Sequence, residues 1–189
     1  MYLGGLPITS IANTLVDLAA ELDDEALEIA LDSAHRRWPR VGQWIEDLAT
    51  KRQTRGVPGL TRLVQLVRER EGQPTDSPLE VRVWRRLRST SGLPKPRLQV
   101  EVFDELGYIM RVDFAWPLER VVVHADSFRW HSRRVTFDSD ADQRNRLRAA
   151  GWEALVVTQN SLHGPWLDDL KVLLAQRHPQ RSFSFATNP

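Results

Sequence analysis

The sequence predicts an α/β protein: a small mixed sheet flanked by helices, preceded by an N-terminal helical region. Three observations carry that expectation. Apolar residues keep helical spacing from Ile11 to Val67, the pattern changes to alternation at Leu98–Phe103, and Val121-Val122-Val123 is apolar on both faces, as a central strand is. The 189 residues are enough for one sizeable core, or for a small domain attached to a larger one. With 41% hydrophobic and 27% charged residues, an ordinary globular protein is expected rather than a disordered one. No apolar run approaches the roughly 18–20 residues of a membrane span.

The elements follow in order. Thr9 or Ser10 caps a first helix with Ile11, Leu15, Leu18 and Leu22 on one face. Asp23-Asp24-Glu25 opens a second, its acids favourable against the helix dipole, and Pro39 closes it. Trp44, Ile45 and Leu48 mark a short third helix; Leu60, Leu63, Val64 and Val67 mark a fourth, after the Gly56-Val57-Pro58-Gly59 break. Gly4-Gly5-Leu6-Pro7 reads as a linker. Gly72-Gln73-Pro74-Thr75-Asp76 is the expected boundary, dividing a helical region (1–73) from a second domain (77–178), with 179–189 as a tail.

Beyond it, Ser77-Pro78-Leu79-Glu80 opens a helix bearing Val83, Trp84 and Leu87. A half-buried strand around Leu98–Phe103 turns at Asp104-Glu105-Leu106-Gly107, where Gly supplies the positive φ, and returns as Tyr108–Trp116. Val121–Val123 follows. A charged helix over 137–150 stops at Gly151, Glu153–Thr158 forms a fourth strand, and 166–176 forms a last helix.

Charge and composition narrow the function classes. Zero Cys excludes disulfides and thiolate metal sites and fits a reducing cytoplasm, the expected location. MYLGGLPITS lacks the basic and apolar blocks of a secretory signal. The net charge of +1 hides an asymmetry: residues 1–76 carry 9 basic and 12 acidic groups (−3), residues 77–189 carry 17 and 13 (+4). That bias has the sign of a nucleic-acid contact surface.

The stretch RVDFAWPLERVVVHADSFRWH (111–131) concentrates the chemistry. Phosphodiester cleavage needs a divalent cation on carboxylate oxygens and a group that moves protons. Asp113 and Asp126, with Glu80 from the preceding helix, are candidate ligands for Mg²⁺ or Mn²⁺; His124 and His131 are candidates for proton transfer. His124 and Asp126, at i and i+2, share one strand face. Arg144, Arg146 and Arg148 are candidate phosphate contacts or a solvated face. Glu80 has a second reading, because Ser77-x-x-Glu80 is a capping box. Asp113 lies between apolar neighbours, where an unpaired charge is costly, and that favours a site role.

These residues also match a family. SPLE (77–80), GLPKPRLQVEV (92–102), RVDFAWP (111–117), VVVHADSFRWH (121–131), DADQRNRLRAAGW (140–152) and LVVT (155–158) together resemble the very-short-patch-repair-like endonucleases of the PD-(D/E)XK superfold. The resemblance implies a restriction-endonuclease-like fold acting on DNA. It casts Asp113 as the metal-binding aspartate, Glu80 as the helical acid, His124 and His131 as the proton-transfer pair, and Asp140 as the acid that orients a histidine. Most relatives have Glu where this chain has His124 and Gly where it has Ser127; losing a hard oxygen ligand weakens Mg²⁺ binding. The repair enzyme's structural zinc site has no counterpart without Cys. The helical segment before Gly72 resembles the region preceding this domain in abortive-infection-type antitoxins, which usually carry a further winged-helix segment. That gives two alternatives, an active endonuclease or a catalytically silent nuclease fold acting as a DNA- or partner-binding regulator, with the helical region as a surface for a protein partner.

Overall fold

A computed structural model describes residues 2–52, 56–70, 74–126 and 134–178, without the side chains of 2–3 and 134–140. The chain divides into two compact units at Val81/Arg82.

The first unit is helical. It opens on a small hairpin, β1 (Tyr2–Leu3) paired antiparallel with β2 (Leu6–Pro7). The expected linker at Gly4-Gly5 is therefore a turn, with φ of +56° and +84°, the left-handed pair that a two-residue hairpin loop uses. Helices α1 (Ile11–Glu21), α2 (Asp24–Arg37), α3 (Val41–Arg52) and α4 (Leu60–Arg70) follow. The expected cap of α1 forms, Asn13 N–H donating to Ser10 Oγ at 3.3 Å; on α2, Asp23 is the N-cap, its Oδ1 accepting the Ala26 N–H at 2.8 Å. Leu15, Leu27, Leu31, Val41, Ile45, Leu60 and Leu63 fill the core, each at most 3% exposed. Gly59 sits where a Cβ would lie 2.6 Å from the Ala19 carbonyl carbon, so its bareness lets α4 start against α1. Arg62 locks that approach, donating to the Ala19 and Leu22 carbonyls at the end of α1 at 3.0 and 2.8 Å.

One cluster in this unit is fully buried and ionic. Arg70 Nη2 lies 2.9 Å from Glu28 Oε2 and 3.1 Å from Asp32 Oδ2, all three side chains at most 1% exposed. Thr75 donates to Asp32 Oδ2 through its hydroxyl (2.5 Å) and its N–H (3.2 Å), while Arg36 donates to the Thr75 carbonyl at 2.6 Å. Residues 74–76 are thus tied to the helices.

The division falls inside α5 (Pro78–Ser89). In the second unit β3 (Arg97–Asp104), β4 (Gly107–Trp116), β5 (Val121–Asp126) and β6 (Glu153–Thr158) form a sheet in that order. The β3–β4 and β4–β5 pairs are antiparallel; β5–β6 is parallel, with α6 (Arg134–Ala149) as the crossover. Helix α7 (Trp166–Arg177) closes the unit. The alternation, the Gly107 turn (φ +107°), the interior position of the Val121–Val123 strand and the bounds of β6 are as the sequence predicts. Phe114 stacks on Trp84 of α5 at 6.4 Å between centroids, and Ala115 and Val122 pack with Leu147 of α6. Trp116 is core, its indole N–H donating to the Pro94 carbonyl at 2.8 Å. Among the described residues no helix is long and apolar enough to cross a membrane. The expected tail at 179–189 lies outside the described residues.

Candidate active site

The site is built where β4 and β5 separate. Their backbone ladder runs from Trp116–Val121 to Phe114–Val123, whereas β5 stays paired with β6 as far as Asp126–Thr158. One residue beyond Phe114 a side chain takes over from the ladder: Asp113 Oδ2 accepts the Ala125 N–H at 2.8 Å. A carboxylate accepting a backbone N–H makes a charge-assisted bond, stronger than the amide bond it replaces. Asp113 is half-buried; Arg111, two residues before it, is exposed.

His124 continues the register opposite Asp113, and Asp126 ends β5 in solvent. Burial holds the His124 imidazole below its ordinary pKa; the charge of Arg144 acts the same way, and Asp126 opposes both. The ring is therefore neutral at pH 7. Its Nε2 is buried and has no hydrogen-bond partner among the described residues. An unsatisfied buried ring nitrogen calls for a proton, a ligand or a water to account for it. Arg144 comes from α6, one turn before the buried Leu147, so the packing of that helix on Ala115 and Val122 sets where its charge acts.

Other predicted site residues sit differently. Glu80 is buried, and its Oε2 accepts the Asp76 N–H at 2.7 Å while its own N–H donates to Ser77 Oγ at 3.2 Å. The capping reading is realised, with Asp76 N–H as the partner in place of the expected Ser77 N–H. Arg146 grips Asp104 at 2.6 and 2.9 Å, holding that carboxyl below its usual range, and also reaches the Tyr108 carbonyl at 3.3 Å. It braces the β3–β4 turn. Arg144 and Arg148 are exposed on α6. His131 lies outside the described residues, and Asp140 falls in α6 with its side chain outside them. Among the described residues no three His, Cys, Asp or Glu side chains group as a metal cage. Asp113 and Asp126 are the carboxylates carried at this end of β4 and β5, and the His124 Nε2 has no hydrogen-bond partner among the described residues.

Sequence reasoning passed over two arrangements. Arg82 Nη1 lies 2.8 Å from Gln159 Oε1, and Arg86 Nη1 lies 2.9 Å from His163 Nδ1. These bonds tie α5 to the segment after Thr158, the residue paired with Asp126. The i, i+4 spacing of Arg82 and Arg86 was the only available signal. The second is the buried Glu28-Asp32-Arg70 cluster. Its signal was polar residues at i, i+4 and i+7 (Glu28, Asp32, His35) on a helix whose Leu27 and Leu31 are core.

Two uncharacterized proteins of Mycobacterium tuberculosis, MT2308 and Rv2248, are each 30% identical to this chain over 145 residues, covering 76% of it and 52% of their own length. The chain therefore spans about half the length of the curated relatives it matches. No family profile and no solved structure matches it.

Proposed function

We propose that the second unit is a metal-dependent DNA endonuclease, acting in the cytoplasm, whose site is the fork between β4 and β5. One observation carries this reading: Asp113 replaces the backbone ladder at the point where His124 and Asp126 emerge on the adjacent strand. The resemblance of residues 77–158 to very-short-patch-repair-like endonucleases supports it. Asp113 and Asp126 would hold Mg²⁺ or Mn²⁺, which when bound supplies Lewis acidity and an acidified water. The Ala125 N–H orients the Asp113 carboxylate. His124, kept neutral by burial and by Arg144, has in Nε2 a vacant proton acceptor. Arg144 and Arg148, both exposed on α6, would meet phosphates, whereas Arg146 grips Asp104.

A second reading has its own observation. The Glu80 carboxylate is occupied by the Asp76 N–H, and no three-donor cage forms among the described residues. A silent nuclease fold that binds DNA or a protein partner, as an antitoxin-like regulator does, would look the same. Cleavage of supercoiled plasmid and mismatched duplexes with Mg²⁺ or Mn²⁺ separates the two. Nicking that vanishes in Asp113→Ala establishes the enzyme. Salt-dependent DNA binding with no cutting at any pH establishes the module.

A further inference from the structure

One face of the helical unit is apolar and yet left out of its core. Ile8, Trp38, at the end of α2, and Trp44 and Leu48, of α3, line it together. Ile8, Trp38 and Trp44 remain 40%, 38% and 37% exposed, whereas the residues of the unit's apolar core are at most 8% exposed. The sequence of α3 accounts for the difference. Val41, Ile45 and Ala49 turn one side of the helix into the core, while Trp44, Asp47, Leu48 and Lys51, at i, i+3, i+4 and i+7, make a second stripe along that outer face. A helix with a second apolar stripe has one more surface to bury.

The charges on the stripe identify the surface that covers it. Asp47 Oδ1 accepts from Gln43 Nε2 at 2.9 Å, and a neutral amide leaves the charge of the carboxylate uncompensated. Lys51, one turn further on, takes part in no ion pair or hydrogen bond among the described residues, so the two do not pair with each other although they stand at i and i+4. A small ion of either sign would meet one attraction and one repulsion here. A second copy of the same face, laid antiparallel, meets two attractions; laid parallel, it would set Asp47 against Asp47. We infer that this face is the interface of a two-fold homodimer. Helix α3 lies antiparallel to its counterpart, Trp44 and Leu48 of both copies fill the centre, and each Asp47 pairs with Lys51 of the partner subunit. In a two-fold contact every pairing occurs twice, so a single acid and a single base suffice to make the surface complementary to itself. The interface lies within the first unit and is independent of the reading of the β4–β5 fork.

Sedimentation velocity of the full chain over a series of concentrations tests the inference. The wild type is expected to pass from monomer to dimer in the micromolar range. Asp47→Lys and Lys51→Asp should each raise the dimer Kd at least about tenfold, because each turns two attractions into two repulsions. The double variant Asp47→Lys/Lys51→Asp should dimerise as the wild type does, and the two single variants, when mixed, should associate with each other. Trp44→Ala should be monomeric while keeping the wild-type helical circular dichroism. A wild type that is monomeric at every concentration overturns the dimer, and a dimer that neither single variant weakens overturns this face as its interface. Weakening in both single variants without recovery in the double variant overturns the antiparallel pairing of Asp47 with Lys51.

Discussion

The two units place their buried polar groups differently. In the helical unit Arg70, Glu28, Asp32 and Thr75 close on one another at 2.5–3.1 Å, inside a core of Leu27, Leu31 and Leu63. At the β4–β5 fork Asp113 accepts a backbone N–H, His124 buries an Nε2 that has no hydrogen-bond partner among the described residues, and Asp126 faces solvent. The ionic cluster holds α2, α4 and residues 74–76 together, and its Asp32 Oδ1 also lacks a hydrogen-bond partner among the described residues; the fork is where the proposed chemistry is assigned.

The strongest way to break the contrast is to open the closed cluster. Arg70→Met strands two carboxylates in a site at most 1% exposed, and should cost about 3–5 kcal/mol in urea unfolding. Asp113→Ala should cost less, about 1–3 kcal/mol for one charged hydrogen bond, yet abolish metal-dependent nicking. A variant of Arg70 that left stability unchanged, or an Asp113→Ala protein that still nicked, would erase the distinction. Glu80→Gln sharpens it further: the amide oxygen can still accept the Asp76 N–H, so a capping residue keeps full cleavage and a metal ligand loses it.

Histidine titration compares the regions with one probe. Burial lowers both His35, beside the closed cluster, and His124, at the fork. The unfolded imidazoles take up protons around pH 6.5 while the folded ones resist, so the unfolded state binds more protons below that pH. Stability from each is complete above pH 6.5 and falls as pH drops through it toward the lower folded value. Urea midpoints between pH 7.5 and 5 should show that decline, and His35→Gln and His124→Gln should each remove a part of it. The smallest effect belongs to Arg146→Ala. Its pair with Asp104 is solvent-screened, so the loss should be a minor fraction of that for Arg70→Met and should shrink in high salt.

Much of the architecture was legible because it rests on local rules. Ser10 caps α1 as its side chain predicts, α2 begins in the Asp23-Asp24-Glu25 run, Gly107 turns the hairpin, and β6 spans Glu153–Thr158 as its apolar run indicates. The glycine pair at 4–5 misleads, because two left-handed residues read equally as a linker or a tight turn until β1 and β2 meet. For the site, the sequence names Asp113, His124 and Asp126 and their shared strand face. It does not tell Arg146 from Arg144: they differ in whether Asp104, some forty positions away, comes within reach.

The sequence by itself determined the helices of the first unit and the helix and strand order of the second, since periodicity, caps and turn residues act over a few positions. Tertiary structure alone decided how the polar residues are engaged. Pairing across α2 and α4 engaged Arg70, the Asp76 N–H engaged Glu80, and the parting of β4 from β5 gave Asp113 the Ala125 N–H. Each outcome depends on where a distant partner lies, and hydrogen bonds and ion pairs act only at contact.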